Sequence, residues 1–221
     1  ITVKDTDILA EGEDNNGDVT IETNDKTKAA THLLGIAGST VLGVNTIWSW
    51  VQNTHTMGIS FENTNLDVVK TVSGKNVFVG SKNTTNLSAQ GTGVAVGAVS
   101  VAVANAKATD NSTAKIDVIN NAGGGTYKFN ADQEISFGAY NAPELKAKLS
   151  NNGVGIVNAL VSYTTASASS NASVNIGNNN TFIASNVGFG AYVGSQSSGN
   201  PTAWADQTSF GFGGVSLGTA G

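Results

Sequence analysis

Hydrophobic and polar positions alternate along most of this chain in short runs, and the runs return. The stretch Gly93–Asn121 holds two of them, Val94-Val96-Val99-Val101 and Ala114-Ile116-Val118, joined by a small, polar connector. Alternation with a period of two predicts strands with one buried face, because successive side chains point to opposite sides. The pair recurs downstream at 153–161 and 172–176, upstream at 33–41 and 58–61, and starts again at 210–217. Aligned on Val41, Val101, Val161 and Leu217, the copies step by 60, 60 and 56. The second run, aligned on Phe61, Val118 and Ile176, steps by 57 and 58. A third marker, Ile135-Ser136-Phe137-Gly138-Ala139-Tyr140, returns as Val187-Gly188-Phe189-Gly190-Ala191-Tyr192, with Val77-Phe78-Val79-Gly80 as an upstream counterpart.

Three marked runs in each period of about 58 residues leave about 20 residues per run and its turn, within the repeat range of solenoids. This predicts an all-β chain folded as a right-handed parallel β-helix of about 20 residues per coil, with three coils per superrepeat. About eleven such coils at a strand spacing of about 4.8 Å would make a rod about 50 Å long. Val101, Val161 and Leu217 would stack in one inward column. The competing architectures, an antiparallel sandwich or an up-and-down barrel, also use short alternating strands but predict no shared period. The whole chain, 1–221, reads as a single β-helical fragment: a polar N-terminal coil or hairpin over 1–32, then superrepeats over 33–221. The copy that opens at Phe210 breaks off at Gly221, so a longer repetitive protein is expected around it.

Composition supports a chain of many tight turns. Only 12% of residues are charged, there are 27 Gly and 2 Pro, and Asn, Ser and Thr fill the connectors. A formal charge of -5 with no Arg argues against nucleic acid as a partner, since phosphates need a basic face. No apolar run approaches the roughly 20 residues of a membrane-spanning helix. The chain has no Cys, which in a β-rich extracellular protein leaves stability to repetitive stacking.

Few residues invite chemistry. The acidic turn at 11–18 crowds carboxylates as a calcium loop would, but its spacing misses the 12-residue pattern of such loops and it reads as a solvated turn. Trp48 and Trp50 share parity and so share a face: buried they are core or an inter-coil stack, exposed they are a partner patch. His55 has no second His or Cys nearby in sequence, and no metal site is expected. Glu144–Leu149 reads as a surface strand, with Lys146 and Lys148 outward. The segment 195–208, holding Pro201 and Trp204, lacks alternation and is expected to be an outward loop, the kind of segment that carries function. Asp117, Asp132 and Glu134 are the carboxylates a polysaccharide lyase or hydrolase would need. However, the isolated His32 and His55, the lack of Arg and the uniform runs argue against a catalytic cleft, so no catalytic residue and no cofactor are expected.

The Gly-Val-rich run at 93–101, Ala114-Lys115-Ile116-Asp117-Val118 and Ile135–Tyr140, with their copies, resemble the repetitive passenger regions of large Gram-negative surface proteins. The likeness is nearest to the leukotoxin-family filamentous adhesins of fusobacteria, which are similar in layout to filamentous haemagglutinin. It covers the chain from about residue 33 onward. The resemblance implies type V export through an outer-membrane secretion pore and a location outside the cell or on its surface. It further implies a β-helical stalk that contacts a host-cell protein or glycan, on leukocytes or epithelial cells, with leukocyte toxicity in the leukotoxin branch. From the residues themselves, the partner-binding candidates are Trp48, Trp50 and Trp204. The open ends of such a fragment would leave it a monomer or an end-to-end oligomer.

Overall fold

Among the described residues every strand pairing is parallel, and most pairings join residues 57 or 58 positions apart. The computed structural model describes residues 1–10, 17–119, 124–194, 202–211 and 213–220, and among these it holds no helix. In chain order the strands are β1 (Thr2–Lys4), β2 (Ile8–Leu9), β3 (Val19–Gly38), β4 (Leu42–Asn53), β5 (Thr56–Glu62), β6 (Val69–Val96), β7 (Val99–Asp110) and β8 (Thr113–Ile119). They continue as β9 (Thr126–Val154), β10 (Val157–Ala168), β11 (Asn171–Ile176), β12 (Thr181–Ile183), β13 (Asn186–Val193), β14 (Thr202–Phe210) and β15 (Gly213–Ala220).

They form three sheets. The short sheet runs β1-β5-β8-β11, and the middle sheet β4-β7-β10-β15. In the long sheet β6 and β9 lie side by side; β2 and β3 pair with β6, while β12, β13 and β14 pair with β9. One period thus visits each sheet once, and its copy one period later lies directly beside it. The architecture is all-β with parallel sheets that curl into a half-barrel, compatible with a solenoid.

The short coil expected from the sequence, one third of a period, is therefore corrected to a coil of one full period. Spacing counts the runs in a period but does not say whether they lie above or beside one another. Here the three runs are sides of one level, facing each other through side chains while hydrogen bonding to the levels above and below. The expected eleven coils shrink to about four levels, a stack about 15–20 Å deep at normal strand spacing.

Two cores sit between the walls. At one end the short sheet (Ile59, Phe61, Ile116, Val118) meets both arms of the long sheet (Val72, Val77, Val79, Tyr127, Phe129, Ile135, Phe137). The long strands bend there: the register between β6 and β9 slips at Gly74/Asn76, and inward positions pass from even (Val72) to odd (Val77, Val79) in β6. This bulge lets the Phe129 and Phe137 rings meet edge-on at 5.1 Å, whereas eight residues of straight strand would part them by about 26 Å. Stacking then continues to the next level, where Phe129 and Phe182 lie 5.1 Å apart and 5° from parallel. At the other end Leu87, Leu145 and Leu149 of the long sheet fill against Ile47, Val51, Ala104, Ala106 and Ala108 of the middle sheet.

A polar waist separates the two cores in sequence. Buried Asp110 accepts hydrogen bonds from the side chains of Asn53 at 2.8 Å, Ser112 at 2.5 Å and Ser170 at 2.5 Å. Asn83 donates to Asn141 at 3.0 Å, and Asn141 in turn donates to the Ser112 and Asn171 carbonyls. These bonds tie three successive levels together without apolar contact.

At the far turn, glycines stack where the chain doubles back from the long to the middle sheet. A Cβ on Gly155 would sit 2.0 Å from the Gly97 carbonyl oxygen, and one on Gly211 would sit 1.9 Å from that of Gly155. Only glycine admits so close an approach between levels.

Candidate functional site

The parity of the valine run is opposite to expectation. In β7 the inward residues are Ser100, Ala102, Ala104, Ala106 and Ala108, and Val99, Val101 and Val103 face out. Leu87, Leu145 and Leu149 from the opposite wall, with Ile47 and Val51 from the neighbouring strand β4, already fill the interior here, which leaves room for alanine rather than valine inside β7. Nor do Val101, Val161 and Leu217 form one column. Val101 lies between Val44 and Ala159, with Val215 beyond Ala159 in the same column, whereas Val161 lies between Val103 and Leu217. The run at 93–101 is also two strands rather than one: β6 ends at Val96 and β7 begins at Val99.

The outward face of the middle sheet is consequently apolar across four strands. Its columns are Leu42, Val99 and Val157; Val44, Val101, Ala159 and Val215; and Val103, Val161 and Leu217, followed by Trp48 and Tyr163. Val215 is 63% exposed and Leu217 60%, while Val101, Val103 and Val161 are partly covered by their neighbours. A contiguous apolar face of this kind is what marks a contact surface on a soluble chain, whereas scattered exposed residues do not.

Trp48 and Trp50 belong to this face. The reading that buries them is corrected, because they are 71% and 61% exposed. Parity is the cause: the inward positions of β4 belong to Asn45, Ile47, Ser49 and Val51. With Asn105 and Lys107 of β7 the two indoles line a shallow cleft, and the Lys107 ammonium lies 5.6 Å from the Trp50 ring centroid, within cation–π range. Trp204 is also exposed but is not in a loop. Residues Thr202–Phe210 form β14, held by a backbone ladder to β9 that sets Trp204 beside Lys148, whose ammonium stands 4.4 Å from the ring. Its sheet is the long one, so the structure joins Trp48 to Trp50 and sets Trp204 on a different wall. Pro201 and residues 195–200 of that segment lie outside the described residues, as do residues 11–16 of the acidic turn.

The long sheet carries a smaller aromatic feature that alternation alone did not single out as functional. Tyr140 and Tyr192 stack outward at 5.3 Å and 9°, with the Lys82 ammonium 5.6 Å from the Tyr140 ring.

Carboxylates are dispersed. Asp117, on the short sheet, pairs with Lys115 at 2.9 Å and accepts from Asn175 at 2.7 Å. Asp132 and Glu134 flank the bend of β9, the first exposed and the second half-buried. His55 lies 3.6 Å from Asp25, and His32 is on β3. Among the described residues no group of three or more His, Asp or Glu side chains is placed to hold a metal ion. Hydrogen bonds from the Thr64 hydroxyl and amide hold the Asp5 carboxyl below its ordinary value; the Thr71 amide and Lys70 do the same for Asp7. Asp5 ties the end of β1 to the turn after β5 and Asp7 ties the start of β2 to the first residues of β6, and neither faces a cleft.

Comparison with family models, with curated proteins and with solved structures gives no match.

Proposed function

We propose that the chain is a segment of a right-handed parallel β-helix from a secreted or surface-displayed bacterial adhesin of the leukotoxin-family type, a rigid stalk whose outward faces bind host cells. The observation that carries the reading is the outward apolar face of the middle sheet with its exposed Trp48–Trp50 pair, a broad surface built on a stack of hydrogen-bonded strands. Right-handedness follows from the strong preference of parallel crossover connections for that hand. In a surface-displayed stalk the flat walls, rather than a cleft, meet the partner, a host-cell protein or glycan. Export through an outer-membrane pore fits this role, because levels that hydrogen bond only to their neighbours can form one at a time as the chain emerges.

The test is binding of fluorescently labelled chain to epithelial cells and leukocytes. Trp48→Ala with Trp50→Ala should weaken binding at least tenfold, since exposed aromatic anchors at a contact each contribute about 2 kcal/mol. Equal binding by the double variant and the parent would sink the assignment of the contact to this face.

A further inference from the structure

We infer that the outward face of the middle sheet is also a homophilic interface, on which a second copy of this chain docks sheet to sheet. This rests on the reading of that face as a contact surface and names one occupant for it.

The shape of the face carries the argument. Four parallel strands in register over eight residues, three of them running four residues further and each showing every second side chain outward, give a footprint on the order of 500–700 Å². Specific interfaces average about 800 Å² per partner and weak ones begin below about 600 Å², so the face matches a weak, reversible dimer. Its relief suits a copy of itself. The columns through Val101 and Val103 run along the stack as parallel ridges, and ridged β-branched faces interdigitate at about 10 Å with a crossing angle of about -30°. The ridges are apolar at the centre, and the exposed Gln52 and Ser167 form a polar margin at the strand ends. That is the core-and-rim pattern of a protein interface.

Charge points the same way. Lys107 is the one charged residue among the described outward positions of β4, β7, β10 and β15, and it is turned over Trp50 at the margin. A bilayer surface would call for a basic cluster to meet anionic lipid. A chain of formal charge -5 has the opposite sign. Two such chains also repel each other, so their association should strengthen as salt screens that repulsion.

The test is sedimentation equilibrium of the 221-residue chain from about 5 to 300 µM, the range that brackets a Kd on the order of 10–100 µM. The mass should rise toward twice the monomer value, and rise further between low and moderate salt. Val101→Asp with Val161→Asp, both outward, should remove the rise at least 30-fold in concentration while circular dichroism stays that of the parent. Should that variant misfold, a nitroxide on Val103→Cys supplies the second arm, since the chain has no other Cys. Face-to-face docking puts two such labels within about 20 Å across sheets about 10 Å apart.

Three results overturn the inference: a monomer throughout, association that survives the aspartates with labels far apart (end-to-end pairing of open strand edges), or capture by phosphatidylglycerol vesicles without self-association. A chain that stays monomeric yet binds cells through Trp48 and Trp50 would overturn only this inference. A dimer that ignores cells would overturn only the adhesive reading.

Discussion

Tyr127 does the work of several residues. Its ring lies in the aromatic core against Phe61 and Phe129, and its hydroxyl reaches past both, 3.2 Å from the Val3 carbonyl and 3.3 Å from that of Glu62. One side chain thereby spans three levels. Burial raises its pKa above the usual 10.0, so the stability it lends is whole below that value and is lost as the pH climbs through the higher folded one. Asp110 is a second such residue. Asp110→Ala would leave the donors of Asn53, Ser112 and Ser170 facing an empty site, and should cost about 2–4 kcal/mol in a urea melt. Phe129→Ala, which removes a fully buried ring, should cost about 3–5 kcal/mol. By contrast, Trp48→Ala should leave stability within about 0.5 kcal/mol, because the indole is mostly in water. At the N-terminus the depressed carboxyls of Asp5 and Asp7 stabilise the fold above their unfolded pKa near 3.8. That stability drains away as pH falls through the lower folded values. Protection of the β1 and β2 amides against hydrogen exchange, measured relative to the unfolded chain at each pH, should therefore fall selectively in acid, and Asp5→Asn with Asp7→Asn should flatten the response.

Among the strands, the period was legible and the parity was not. Ile135–Tyr140 and Val187–Tyr192 read as copies from the sequence, and they are paired residue for residue in β9 and β13. The column Phe61, Val118 and Ile176 is equally direct. Those runs alternate large apolar with polar or glycine, which leaves no doubt about the buried side. The run in β7 alternates valine with alanine, so both faces look apolar and bulk alone favours the wrong one. The deciding fact is how much of the interior Leu87, Leu145, Leu149, Ile47 and Val51 already fill, which no local pattern holds. β14 was missed for the complementary reason: Ala203-Trp204-Ala205-Asp206-Gln207 has little alternation, and what holds the segment is its backbone ladder to β9. The site shared the fate of the parity. Alternation marks Trp48 and Trp50 as a pair but places the valines around them in the interior, which hides the breadth of the face. The glycine turn offers a check on how tightly the levels stack: Gly155→Ala should destabilise by about 1–3 kcal/mol, since the opposing atom is a backbone carbonyl that cannot rotate aside.

For the molecule as a whole, the unit of construction is a complete period. Deleting 97–154 removes one level and returns the chain to register, because Val99 and Val157 are already neighbours at a step of 58. The shortened protein should fold with a similar circular dichroism spectrum, while deletion of one third of that length from the same region should unfold it or drive it to aggregate. A coil one third of a period long would predict that both deletions are tolerated. The same ladder has a mechanical meaning. Because each level hydrogen bonds only to its neighbours, tension applied through the chain reaches the outermost strands one residue pair at a time and peels them, leaving the inner levels whole. Each peeled level would release about 58 residues, or about 200 Å of extended chain at about 3.4 Å per residue. Held between two surfaces that drift apart, a stack of levels built this way would lengthen in steps of that size. An optical trap would read this as a regular sawtooth.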